Sequence, residues 1–255
     1  MNQAATVAEK VRLLVPERVA RALGRLAVVA FILAIPTFLV TSNVRLAFDS
    51  PSLYRYGFEQ YNVVGTTGLS MGQLMVVAQD LIDYFNSSQE LLDVKVSFDG
   101  EQRELFNERE VLHMRDVKGM VVEVHRLQEE VGAYIVGYIV IVLLATRGKR
   151  ARDLTGRVLL GSFVTVGLLA VGGLTSLVGF EQLFDQFHFL SFASGTWTFD
   201  PRSNYLTRLF TEGFFMQATL FIALSVIVQA LLLALVAWGI SRWAPSRKTR
   251  PMQRF

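Results

Sequence analysis

Apolar residues are not spread evenly along this chain of 255 residues; they gather into four stretches without a single charge, Leu26–Val44, Val131–Thr146, Val158–Phe180 and Met216–Ser241. A helix needs about 20 such residues to cross a bilayer core. The first, third and fourth stretches reach that length. The second has 16 residues, about 24 Å of helix at about 1.5 Å per residue, so it recruits positions before Val131 and leaves Glu129 and Glu130 at the interface. Four transmembrane helices are predicted.

Between the first two stretches the pattern changes. Ser70 and Gln73 have the spacing of a capping box, and Leu74, Val77, Ala78, Leu81, Ile82 and Phe85 follow at helical intervals until Asn86–Ser88. Leu92, Val94, Val96 and Phe98 then alternate with polar residues up to Asp99-Gly100, the signature of a strand entering a hairpin. Asn107 and Glu110 form a second capping box and start a helix through Val111, His113 and Asp116. A small α+β cap is therefore predicted over residues 45–130.

Charge orients the frame. The formal net charge is only +3, but fifteen basic residues lie in 1–25, 147–157 and 242–255 beside three acids, whereas ten basic and nineteen acidic residues lie in 45–130 and 181–215. By the positive-inside rule both termini are cytoplasmic and the two acidic segments lie outside. The chain is thus read as an α-helical polytopic membrane protein, N-in and C-in. It has a cytoplasmic amphipathic segment (1–25), spans at 26–44, 131–146, 158–180 and 216–241, and a cytoplasmic basic loop (147–157). The cap (45–130) and a second outer loop (181–215) carry one histidine motif each, and a basic tail (242–255) ends the chain. The first span reads as a retained signal-anchor, since it exceeds an h-region and lacks a small-x-small cleavage site.

Composition narrows the chemistry. Hydrophobic residues make up 52% and charged residues 18%, a balance shifted away from soluble domains. Cysteine is absent, which excludes a thiol nucleophile, a disulfide framework and thiolate-bound metals. The first, third and fourth spans contain no ionisable residue, and the chain shows no inverted repeat, unlike transporters and proton pumps. Any chemistry belongs on the outer side.

All three histidines, His113, His125 and His188, fall there. Glu110, His113 and Asp116 are three apart and share a helix face. A straight helix to Val131 would carry His113 about 27 Å from the span, so a bend, with Gly119 the best candidate, is expected, or this face serves something else. His188 lies among Phe187, Phe189 and Phe192, ahead of Trp197 and Asp200. Two histidines from separate segments can exchange protons near neutral pH; equally, they can be unrelated residues making local hydrogen bonds. A metal held by His113, His188 and a carboxylate fits no zinc spacing, and no HExxH is present. The phenylalanines read as an interfacial belt or as walls of an acyl pocket. His125, beside Glu123 and Arg126, reads as part of a solvated face.

Two blocks are similar to a known family. Phe106-Asn107-Glu108-Arg109-Glu110-Val111-Leu112-His113-Met114-Arg115-Asp116-Val117-Lys118 resembles the E-x-x-H-M-x-D-V-K segment of the Lit-type lipoprotein intramolecular transacylases of bacterial cytoplasmic membranes. Phe187-His188 through Phe192, Trp197-Thr198-Phe199-Asp200-Pro201, Leu206 and Phe214-Phe215 resemble its F-H…F…W-x-F-D-P…L…F-F region, and Thr67-Gly68-Leu69-Ser70 also fits. The departure is Thr211, where the family is expected to carry proline before Glu212.

The resemblance implies transfer of the sn-2 acyl chain of a diacylglyceryl-cysteine to the α-amino group of the same cysteine, giving a lyso-form lipoprotein. It implies no cofactor or metal, a diacylated bacterial lipoprotein as substrate, contact with membrane phospholipid and no nucleic acid; oligomeric state is left open. His113 and His188 are the implied catalytic pair. Asp116, one turn from His113, is expected to stabilise its imidazolium and make it the base. Glu110, Trp197 and Asp200 are expected to support or orient the site, with Arg109 and Arg115 candidates for substrate carbonyls. Ser191 and Ser194 keep a covalent acyl-enzyme open. The competing reading is a non-catalytic membrane protein whose cap binds an envelope partner or lipid.

Overall fold

The computed structural model describes residues 16–193 and 196–243, without the side chains of 175–178 and 243. The amphipathic segment up to residue 15, most of the basic tail and Ser194 lie outside the described residues. The described chain is mostly helical: α1 (Glu17–Phe48), α2 (Pro51–Gln60), α3 (Val63–Thr67), α4 (Met71–Asn86), strands β1 (Lys95–Phe98) and β2 (Glu101–Glu104), α5 (Glu108–Thr146), α6 (Ala151–Ser191), α7 (Tyr205–Leu209) and α8 (Glu212–Trp243). Among the described residues, four helical segments are long and apolar enough to cross a membrane: Glu17–Phe48, Glu108–Thr146, Ala151–Leu174 and Glu212–Arg242. Leu26–Val44, Val131–Thr146 and Met216–Ser241 fall inside three of these segments, and Val158–Phe180 overlaps the third as far as Leu174.

The chain divides into two compact units. The first comprises residues up to Phe38, Val131–Val166, and those from Ala230 on. It is apolar outward as well as inward, with Val136, Ile141, Leu144, Phe163 and Leu232 exposed, as suits helices solvated by lipid. Pro36 interrupts the hydrogen-bond ladder of α1, because proline has no N–H for the carbonyl four residues back, that of Ile32. At that point α6 approaches closely: a Cβ on Gly161 would stand 3.1 Å from the Ile32 oxygen. A larger residue there would press on this backbone and on the Ile35 side chain, 2.5 Å from the same Cβ position. Tyr138 stacks on Phe31 at 4.5 Å and accepts a hydrogen bond from Arg157 at 2.5 Å.

The second unit comprises Leu39–Glu130 and Gly167–Gln229. Its core is built on α4, whose buried Leu74, Val77, Ala78 and Leu81 repeat at the spacing the sequence shows. Both halves of the Ser70–Gln73 capping box are made, and Gln73 Nε2 also donates to the Ser97 carbonyl at 2.7 Å, tying this helix to the hairpin. The strands pair antiparallel with Phe98 opposite Glu101. Asp99 and Gly100 both take positive φ, 51° and 89°, the combination a two-residue type I′ turn requires.

Two features differ from the sequence expectation. The helix α5 does not break at Gly119; it runs as continuous helix for 39 residues. A glycine costs a helix interior only about 1 kcal/mol relative to alanine, and no proline follows to break the ladder. The segment after Phe180 is also helical as far as Ser191, re-aimed at Gly179, which leaves helical geometry at φ −160° and ψ 57°. His188 therefore sits in the last turn of a helix rather than in an open loop, and this extension brings it to His113.

Candidate active site

His113 is set by the cap that starts α5. The Glu110 N–H donates to Asn107 Oδ1 at 3.1 Å, and Glu110 Oε2 accepts from the Asn107 N–H at 2.9 Å. With the first turn fixed, Glu110, His113 and Met114 face inward and are buried, while Leu112 and Arg115 point out. Only 7% of His113 is exposed. Its ring lies 4.7 Å from Phe192 and 5.3 Å from Phe199, and its Nδ1 is buried without a hydrogen-bond partner among the described residues. The apolar part of α5 begins at Val131, so His113 is outside the spanning stretch. Burial, aided by the neighbouring His188, pushes its pKa down to about 4 against the opposing pull of Asp116. The imidazole is neutral at physiological pH.

Asp116 does not rescue the imidazolium: its Oδ1 stands 3.5 Å from Arg115, and both side chains are solvated. Desolvation therefore wins over a partly exposed carboxylate one turn away, which removes the reason for making His113 the base.

His188 is held differently. Its Nδ1 is 2.7 Å from the Phe184 carbonyl oxygen, one turn back in the helix. A carbonyl can only accept, so Nδ1 carries the hydrogen and neutral His188 keeps its lone pair on Nε2. The ring is enclosed by Phe184 at 4.2 Å, Trp197 at 5.0 Å, Phe187 at 5.3 Å and Phe192 at 5.5 Å. The two imidazoles face each other with centroids 6.4 Å apart and planes 23° from parallel.

The remaining predicted residues divide by position. Trp197 forms part of the wall. Asp200 shapes the return toward α7: its carboxylate accepts from the N–H, Nε and Nη2 groups of Arg202, and its carbonyl accepts from Ser203 and Asn204. These Arg202 bonds hold the Asp200 carboxyl below its ordinary pKa. Arg109 donates to the Thr198 carbonyl at 2.8 Å, and Arg115 pairs with its neighbour Asp116. Ser191, the last residue of α6, is exposed. Thr211 starts α8 by accepting from the Phe214 N–H at 3.2 Å, so the hydroxyl caps the helix where a proline was expected. Among the described residues no cluster of three or more His, Asp or Glu is arranged to hold a metal.

Sequence reasoning missed Phe184, which supplies both a carbonyl that fixes the His188 tautomer and a ring beneath it. Its signal was its place four residues before His188, readable only once that segment is known to be helical. The aromatic residues also split: Phe187, Phe192 and Phe199 surround the imidazoles, Phe210 and Phe214 pack inward, and Phe189 points out at 70% exposure.

A multi-pass helical membrane protein with an aromatic-walled histidine pair is the class that these elements define. The model of the lipoprotein intramolecular transacylase family Lit matches residues 29–215, and the chain belongs to that family. The structure is similar to that of the membrane integral lipoprotein intramolecular transacylase Lit from Bacillus cereus, solved in meso, with a TM-score of 0.66 at 20% identity over 88% of this chain and 96% of that one. Two forms of the Bacillus cereus protein bearing a single histidine substitution are also similar. The alanine form gives a TM-score of 0.66 at 20% identity, covering 88% of this chain and 94% of that one. The arginine form gives 0.65 at 19%, covering 88% and 93%. No curated protein matches the chain.

Proposed function

We propose that this chain transfers the sn-2 acyl chain of a diacylglyceryl-cysteine to the α-amino group of the same cysteine, using His113 and His188 without metal or cofactor. The observation that carries the reading is the convergence of two imidazoles in one aromatic enclosure, His113 with its pKa pushed down by burial and His188 with Nδ1 turned to a carbonyl.

Ester and amine belong to one substrate, so the enzyme's main task is to hold them together; orientation of this kind supplies about 7–11 kcal/mol in effective-molarity terms. His188 Nε2, the nitrogen left with a lone pair, takes a proton from the attacking amine. The nitrogen bonds to the ester carbonyl carbon, and negative charge develops on its oxygen. His113, kept neutral by burial, offers an imidazole N–H to that oxygen, as a preorganised donor rather than as an acid. Collapse breaks the ester C–O bond, and the imidazolium of His188 returns its proton to the departing glycerol oxygen. An amide and a free glycerol hydroxyl result, with no external donor consumed.

The reaction takes place on the outer face of a bacterial cytoplasmic membrane, beneath a cap formed by residues 45–130, with both termini inside. The division of basic and acidic residues between alternate segments supports that orientation. Trp197 and Asp200 shape the wall beside His188, and membrane phospholipid surrounds the spans.

Product and substrate are isomers, so intact mass does not distinguish them. The full chain in lipid nanodiscs, given a synthetic diacylglyceryl-cysteinyl lipopeptide, is expected to yield a species whose tandem mass spectrum places one acyl group on the N-terminal nitrogen. A substrate with an acetylated amine should remain unchanged. Absence of the N-acyl fragment from the free-amine substrate would refute the reading.

A further inference from the structure

The first turn of α5 does more than cap its own helix. Glu110 is only 1% exposed, and a buried carboxylate is costly unless its oxygens are bonded. Oε2 takes the Asn107 N–H of the capping box, while Oε1 accepts from the Leu206 N–H at 2.7 Å, 96 residues away in the opening turn of α7. The preceding side chain reaches the same segment from the surface. Arg109 Nη2 donates to the Thr198 carbonyl at 2.8 Å, and its guanidinium lies over the Phe199 ring at 5.2 Å.

The stretch from Thr198 to Leu206 is thus fastened at both ends to adjacent residues of one helical turn. The rings beside the first fastening are those that wall the imidazoles: Phe199 contacts His113 at 5.3 Å, and Trp197 contacts His188 at 5.0 Å. Arg109 is therefore engaged with the protein's own wall rather than presented to substrate carbonyls.

We propose that Arg109 and Glu110 are positioning residues, which fasten the 197–206 segment so that Trp197 and Phe199 fix the separation of His113 and His188 and keep the gap between them dry. This rests on the reading of the two histidines as the reacting pair. Loosening the wall displaces the imidazoles, and misplacement by about 1 Å costs on the order of 100-fold in rate. The loss falls on kcat, because both side chains are engaged with the protein's own 198–206 segment.

The test uses full-length protein in nanodiscs with Trp238→Phe and Trp243→Phe, which leaves Trp197 as the sole tryptophan. Arg109→Ala is expected to lower kcat by about 10- to 100-fold with KM within about threefold. It should also red-shift Trp197 emission and raise its quenching by acrylamide. Arg109→Lys keeps a cation without the planar fork, and should give an intermediate loss. Glu110→Gln, with one acceptor oxygen for two donors, should give the same emission shift.

Arg109→Ala turnover within twofold of the parent would overturn the proposal. So would a loss of kcat with unchanged Trp197 emission, or a loss expressed only in KM. Failure of the underlying reading is seen separately: turnover surviving in both His113→Ala and His188→Ala would discard the histidine pair whatever Arg109→Ala does, whereas the emission arm reports the fastening without any turnover.

Discussion

The imidazoles of His113 and His188 stand 6.4 Å apart, and both rest against the same phenylalanine, Phe192, at 4.7 and 5.5 Å. Phe192 is buried and its backbone N–H donates to the His188 carbonyl at 2.9 Å, so its ring spaces two histidines that come from distant parts of the chain. Phe192→Ala should open room between them and lower kcat by about 10- to 100-fold. Steady-state kinetics on the synthetic lipopeptide would check this, with Phe192→Leu, which restores bulk, recovering part of the loss.

The buried His113 makes a pH prediction with a definite sign. Its pKa lies at about 4 in the folded protein, against an ordinary value of about 6.5. Between these two values the unfolded chain binds a proton that the folded chain does not. This residue therefore makes stability fall as pH drops from about 6.5 to about 4, and adds no pH dependence above that window. Thermal unfolding at stepped pH should show a shallower decline for His113→Gln than for the parent. Nitrogen chemical shifts should report His113 as neutral until the pH nears 4.

Lys118 is a structural clamp. It is 8% exposed; its ammonium donates to the Gln89 carbonyl at 2.6 Å and to Ser87 Oγ at 3.3 Å, and stands 4.2 Å from the Tyr84 ring centroid. It closes the chain that leaves α4. Lys118→Met keeps the stem but strands the Gln89 carbonyl, and should cost about 1–3 kcal/mol, read as a fall in the thermal midpoint of the purified protein.

Asn43 and Gln229 exchange two amide hydrogen bonds, at 2.9 and 3.0 Å, between α1 and α8. Removing one partner leaves the other amide without its match, so Gln229→Leu should be destabilising by about 0.5–2 kcal/mol. Asn43→Leu combined with Gln229→Leu should recover part of that loss. A double-mutant cycle on unfolding in detergent measures the coupling.

The parts of this molecule that the sequence makes legible are those fixed by local rules. Charge-free stretches find the four long apolar helices, Ser70–Gln73 and Asn107–Glu110 mark two helix starts, and Asp99-Gly100 marks the hairpin. The short helices α2, α3 and α7 carry too little periodicity to stand out, since five or ten residues gain helical stability from packing rather than propensity. Ser50-Pro51, a cap followed by proline in the first turn, was the one available signal for α2.

The two histidine blocks are recognisable as words, but how they meet is not. It depends on α6 continuing past Gly179 through a phenylalanine-rich segment that reads as a loop, while α5 stays helical through Gly119. The balance at His113 is also tertiary: Asp116 is visible at the right helical interval, whereas the rings of Phe192 and Phe199 that desolvate the imidazole lie some 80 residues away in sequence. That packing is what favours His188 over His113 as the proposed base.

The central claim is that His113 and His188 act together on the acyl group of a lipoprotein. Its most direct test is tandem mass spectrometry of an N-terminal lipopeptide from cells whose lyso-form lipoprotein depends on this chain, comparing the parent with His113→Ala and His188→Ala at matched membrane abundance. The account predicts that each variant leaves both acyl chains on glycerol and the cysteine amine free. Undiminished N-acyl, S-monoacylglyceryl product in both variants would contradict it.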